Sequence, residues 1–193
     1  MPRFLVTCQG RSPLIMHNGR LVDPLDTITK KIKEVSSKRA KTDEDHEEMA
    51  KLEWLGGIYF DASVGPFVPA PNMLKCLIEG ARLNKSGKQI ERGVFLETIT
   101  IPLVYDGPRE LETLYITTGF RHRVPVTIGK AKVMRTRPIF NEWGLRAHGM
   151  FDGSVINFAN LQTAARMAGQ MIGLCDGRPL YGRFHCDVEE VEQ

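Results

Sequence analysis

The chain has 193 residues, 42% hydrophobic and 25% charged, which is enough for one sizeable core and short for two full domains. That balance excludes a disordered or collagen-like polypeptide, and no apolar run approaches the ~20 residues that cross a bilayer, so no membrane partner is expected. Net charge is only +3, so affinity for an anionic partner must come from how the charges are distributed rather than from their total.

Met1-Pro2-Arg3-Phe4 leads into a strand, not a signal peptide. Phe4, Val6 and Cys8 alternate with Leu5 and Thr7, as a buried first strand requires, and Gly10 and Pro13 end it. The loop over residues 12–20 holds Leu14, Ile15 and Met16 and is too apolar for a simple solvated turn. Asp23-Pro24 predicts a helix start, with Asp as cap, Pro in the first position, and Leu25, Ile28, Ile32 and Val35 on one stripe. Thr42 with Asp45 three residues on is a capping-box signal for a second helix carrying Met49, Leu52 and Leu55. Residues 21–57 thus read as a helical-hairpin insertion. Its short apolar stripes must lean on a larger body or on a partner.

Gly56-Gly57 breaks that unit, and residues 58–60 read as a short strand or bulge. Pro69, Pro71 and Asn72 then lead into a helix with Met73, Leu74, Leu77, Ile78 and Ala81 on one face, which Gly87 is expected to end. Residues 99–105 predict a strand interrupted by Pro102, hence edge-like or bulged, and residues 114–118 another short strand. From 119 to 137 the chain carries Arg121, His122, Arg123, Lys130, Lys132, Arg135 and Arg137 and no acidic residue, with Val124, Val126, Ile128, Val133 and Met134 interleaved and Gly129 offering a turn. Residues 114–140 are expected to form a protruding basic β-hairpin arm, its purity of sign pointing to an anionic partner. Residues 134–140 and 143–151 read as a strand pair around Asn141-Glu142.

The last unit is helix, glycine loop, strand. Asn157 caps a helix with Phe158, Leu161, Ala165, Ala168 and Ile172 on one stripe, and Gly173 supplies its stop. Residues 174–183 are too rich in Gly and Pro for regular structure, and Phe184, Cys186 and Val188 form a final half-buried edge strand. Without its insertions the order approaches βαββαβ, so the fold class expected is α+β, with an antiparallel sheet and helices on one face in a single domain over 1–193.

Two segments resemble the RAMP superfamily, the RRM-like (ferredoxin-like) proteins that build the RNA-binding backbone of CRISPR effector complexes and include CRISPR RNA-processing nucleases. The run Gly173, Gly177-Arg178, Gly182-Arg183-Phe184 before the final strand is similar to that family's C-terminal glycine-rich loop. The run Phe67-Val68-Pro69-Ala70-Pro71-Asn72-Met73-Leu74-Lys75 is similar to its entry into the first core helix, with Ala70 in place of a glycine. The resemblance implies a backbone subunit that stacks in copies, as a homo-oligomer or filament with other subunits, along a single-stranded guide RNA, with the basic arm as the thumb reaching a neighbour. It also implies an alternative, a metal-independent endoribonuclease with His17 as general base.

Catalytic templates are missing: there is no Walker loop, nucleophile elbow, HExxH or EF-hand. The expectation is therefore a non-catalytic binder of single-stranded RNA or DNA. Arg11, His17, Arg20, Arg121, Arg123, Lys130, Lys132, Arg135, Arg137, Arg178 and Arg183 are the candidate contacts, with Phe120, Phe140 and Trp143 as candidate base-stackers. Beside the nuclease reading stands a structural or adaptor protein, for instance a phage component, docking its arm on an acidic protein. Four cysteines without a CxxC pair predict reduced thiols and a cytoplasmic location, and no metal or cofactor is expected. A zinc site from Cys8, Cys186 and His185 is weighed against buried free thiols, which are preferred.

Overall fold

The computed structural model describes residues 1–191. In chain order its elements are β1 (Arg3–Gly10), β2 (Leu14–Ile15), a 3-10 turn (Gly19–Val22), α1 (Thr27–Ser36), α2 (Asp43–Gly57), β3 (Phe60–Asp61), β4 (Gly65–Pro69), α3 (Ala70–Arg82), α4 (Gly87–Gly93), β5 (Val94–Leu96) and β6 (Thr100–Val104). Then follow α5 (Leu111–Ile116), a second 3-10 turn (Thr118–Phe120), β7 (Arg121–Ile128), β8 (Ala131–Phe140), β9 (Gly144–Phe151), α6 (Phe158–Met167), a π-helical turn (Ala168–Ile172) and β10 (Phe184–Val191).

The protein is α+β, and every strand pairing among the described residues is antiparallel. The main sheet runs β10-β1-β9-β6-β4-β3, with β5 also on β9, and a second sheet runs β2-β8-β7. Reduced to β1-α3-β6-β9-α6-β10, the strand order is compatible with a ferredoxin-like fold. Alternation along the strands explains the layering: Phe4, Val6 and Cys8 of β1 and Leu145, Ala147 and Phe151 of β9 are buried. So are Met73, Leu77 and Ala81 of α3 and Leu161, Ala164 and Ala165 of α6. The two helices touch each other, and α6 touches β10. Gly80 permits their close approach, since a Cβ there would lie 2.6 Å from the Ala164 carbonyl oxygen of α6.

The caps at Thr42 and Asn157 form as expected, the first as a full capping box. The first helix of the insertion starts later than expected: Asp26, not Asp23, accepts from the N–H groups of Ile28 and Thr29. Gly87 opens α4 instead of ending α3. Residues 111–116 are helical where β-branched and aromatic residues predicted a strand, because one turn suffices to bury Leu114 and to set Tyr115 edge-on against Trp54, ring centroids 5.3 Å apart. The arm accordingly begins at Arg121 rather than 114. The expected pairing of 134–140 with 143–151 does not occur. The turn at Asn141-Glu142 sends β9 into the main sheet beside β1, β5 and β6, while β8 pairs with β7 and β2.

Candidate nucleic-acid interface

The arm is the β7–β8 hairpin, in register from Arg121↔Pro138 to Ile128↔Ala131, with Gly129 at positive φ in its turn. Because alternate residues point to opposite faces, the register divides its charges into two sets. One face carries Arg121 and Arg123 of β7 with Lys132 and Met134 of β8; the other carries His122, Val124 and Val126 with Val133, Arg135 and Arg137.

The sets differ in whether their charge is compensated. Arg135 is ion-paired with Glu53 of α2, whose other carboxylate oxygen accepts the Thr136 backbone N–H at 2.8 Å. Arg137 lies beside Asp176 of the glycine loop, Nε to Oδ2 3.3 Å. Arg121, Arg123 and Lys132 are exposed, and among the described residues none of them is paired with a carboxylate. The Arg121 guanidinium instead lies over the Tyr115 ring, 5.2 Å from its centroid. This face borders two open recesses of about 460 and 500 Å³; the first is lined by Lys41, His46 and Met49 with Arg123 and Lys132, the second by Glu47 and Tyr115 with Arg121. Lys130, in the arm's turn, is also exposed.

The glycine loop forms a second convergence. It closes on itself through Leu174 N–H donating to the Gly182 carbonyl (2.8 Å), and it is laced to the loop after β1 by Arg11 N–H to Arg183 O (2.7 Å) and Gly182 N–H to Pro13 O (2.8 Å). Gly182 sits at φ +72° with space for no side chain, a Cβ there falling 2.0 Å from the Leu174 oxygen. Arg11 and Arg183 are thereby neighbours, the Arg183 Nε donating to the Pro179 carbonyl. Arg178 and Arg20 are compensated, by Glu79 at 2.8 Å and Asp26 at 2.7 Å.

His17 stands between the two regions. It lines a cavity of about 420 Å³ beneath the arm and a smaller recess of about 170 Å³ with Tyr59, Asn72, Lys75 and Arg178. Although much of its surface is open, partial loss of water lowers its pKa; Asp176 opposes the shift and Arg137 reinforces it. His122 is lowered in the same way, by burial and by Arg137.

The three candidate stackers do not face this surface. Phe140 is fully buried and Trp143 is 4% exposed, its indole N–H donating to the Ser12 carbonyl at 2.8 Å. Phe120 is half-buried in a cluster with Tyr105 and Phe140, centroids 5.7 and 5.6 Å away. Large aromatic area is worth more in the core, and these rings close the junction between the arm and the main sheet. The aromatic groups that do reach the recesses are Tyr115 and Tyr59, from helix and loop positions that no linear basic-aromatic pattern marks.

Cys8 and Cys186 are register partners with Sγ atoms 3.7 Å apart, both buried, and burial raises the Cys8 thiol pKa well above its usual value. His185, next along β10, is on the exposed opposite face, so the three side chains cannot converge on a zinc ion. Among the described residues no group of three metal-ligating side chains occurs, and no helix is long and apolar enough to cross a membrane. No protein-family model matches the chain, and no curated protein matches it.

Proposed function

We propose that the chain binds single-stranded nucleic acid without cutting it, along the face of the arm that carries Arg121, Arg123 and Lys132. The observation that carries this reading is the sorting of charge by register: the arm's inward cations are compensated by Glu53 and Asp176, while this outward face keeps three cations that, among the described residues, have no carboxylate partner. Cations already paired inside the chain gain little from a phosphate; uncompensated ones release counterions when a polyanion lies across them. Arg11 and Arg183, whose backbones are hydrogen-bonded at the glycine loop, are a second group of cations on which the strand would rest. The strand order with two helices on one face, the proline-led entry into α3 and the glycine loop before β10 support a RAMP-like backbone subunit, repeated along RNA with the arm as thumb. The RRM-like character and the assembly are parts of this proposal.

The test is fluorescence anisotropy with labelled oligonucleotides of unrelated sequence over a salt series. Arg123→Ala with Lys132→Ala is expected to weaken binding and to reduce the slope of log K against log salt by about 1.4, some 0.7 per lost phosphate contact. An unchanged slope removes this face from the site. RNA cleavage by the wild type that disappears in His17→Ala would replace the binder with a nuclease. A stable protein partner without oligonucleotide affinity would replace it with an adaptor.

A further inference from the structure

We propose that two copies of this chain pair through the open face of the main sheet, about a two-fold axis that runs along β1. The contact uses no residue of the β7–β8 arm, and it closes at two copies, unlike a thumb passed from one copy to the next.

The register fixes what that face carries. Side chains that alternate with the buried Phe4, Val6 and Cys8 point away from α3 and α6, and they line up in rows across β10, β1 and β9. One row is Asp187, Thr7 and Arg146; the next is Glu189, Leu5 and His148; the third is Val191, Arg3 and Met150. The β10 side is therefore acidic and the β9 side basic. Arg146, His148, Asp187 and Glu189 are all exposed. Acid and base of one row stand two strands apart, about 9–10 Å, too far to pair within one copy. Among the described residues Arg146, His148 and Glu189 have no ion-pair partner, and Asp187 has only His185 of its own strand, at 3.3 Å. Arg3, in the middle of its row, is already held by Glu97 at 2.7 Å.

Such a face is its own complement. Half a turn about β1 lays the β9 of a second copy over the β10 of the first without shifting the rows. Arg146 then meets Asp187, His148 meets Glu189 and Met150 meets Val191, each contact occurring twice. Leu5 and Thr7 meet their counterparts on the axis. Phe95, 45% exposed and beside Met150 in the third row, flanks Val191. An axis across the strands instead lays β9 over β9 and β10 over β10, like charge on like, which costs affinity. Stacked sheets lie about 10 Å apart with strands within about 30° of each other, so long side chains span the gap and the rows nearest the axis keep register best.

The experiment is sedimentation velocity on nucleic-acid-free protein over a concentration series. The wild type is expected at twice the chain mass, dissociating on dilution and as salt rises. Arg146→Asp and Asp187→Arg, made singly, are each expected to weaken association more than about tenfold, because each sets like charges together at two symmetric contacts. Combined in one chain they are expected to restore it, since the two-fold sets exchanged charge against exchanged charge; a folding defect would not be cured by a second substitution two strands away. Arg123→Ala with Lys132→Ala is expected to remain paired. A wild type that is monomeric up to about 0.1 mM overturns the proposal. So does a pair that neither single reversal weakens, or a double variant no better than the singles. Arg146→Asp that leaves the mass unchanged but weakens oligonucleotide binding also overturns it, and assigns the face to nucleic acid instead.

Discussion

His17 shows how position alone changes what a residue does. A histidine on an open loop titrates near its ordinary value of about 6.5; here loss of water holds the folded-state pKa below that. Between the folded value and the ordinary one, the folded protein therefore binds fewer protons than the unfolded chain. The stabilising contribution is complete above about pH 6.5 and is lost as pH falls through the folded pKa. Thermal melts from about pH 7.5 to pH 5 are expected to show Tm falling with acid, and falling less in His17→Gln. An identical acid dependence in the two proteins would show that His17 is solvated like a free imidazole. His122, displaced in the same direction, supplies part of what remains in the variant.

Among the elements, the junction of α2 with the arm is the one that sets the interface. β8 pairs with β7 along one edge and with β2 only at its end, so its other edge would expose backbone N–H groups. Glu53 closes that edge by accepting the Thr136 N–H while holding Arg135. The acidic residue in the middle of a helix, which by sequence is a solvated position, is buried for this reason. Glu53→Ala is expected to cost about 1–3 kcal/mol, because the Thr136 N–H loses its partner, and to speed amide exchange in β8 while leaving β1 protected. Glu53→Gln keeps an acceptor for the Thr136 N–H while removing the ion pair with Arg135, and is expected to cost less than Glu53→Ala. Equal losses from the two substitutions would mean that the ion pair, not the backbone contact, fixes the arm.

For the molecule as a whole, the packing of α3 on α6 holds the sheet's inner face shut and so positions both the glycine loop and the loop after β1. Gly80→Ala places a Cβ 2.6 Å from backbone atoms of Ala164 and Ala168, and backbone cannot rotate aside. It is expected to destabilise by about 1–3 kcal/mol in urea melts; wild-type stability in that variant would show the two helices stand further apart.

What the chain's residues fixed by themselves is local. Two-residue alternation in β1, the capping box at Thr42, the Asn157 cap and the glycine-rich loop all depend on neighbours within a few positions, and they stand where those neighbours place them. The basic hairpin was legible too, since its turn and its lack of acids lie in one stretch. Tertiary structure alone decided which charges remain uncompensated, because Glu53 and Asp176 come from segments 82 and 39 positions away from the arginines they meet. It also decided that Phe140 and Trp143 are core residues and that β9 leaves β8 for the main sheet. Periodicity tells which side of an element is apolar, but only packing decides what covers it.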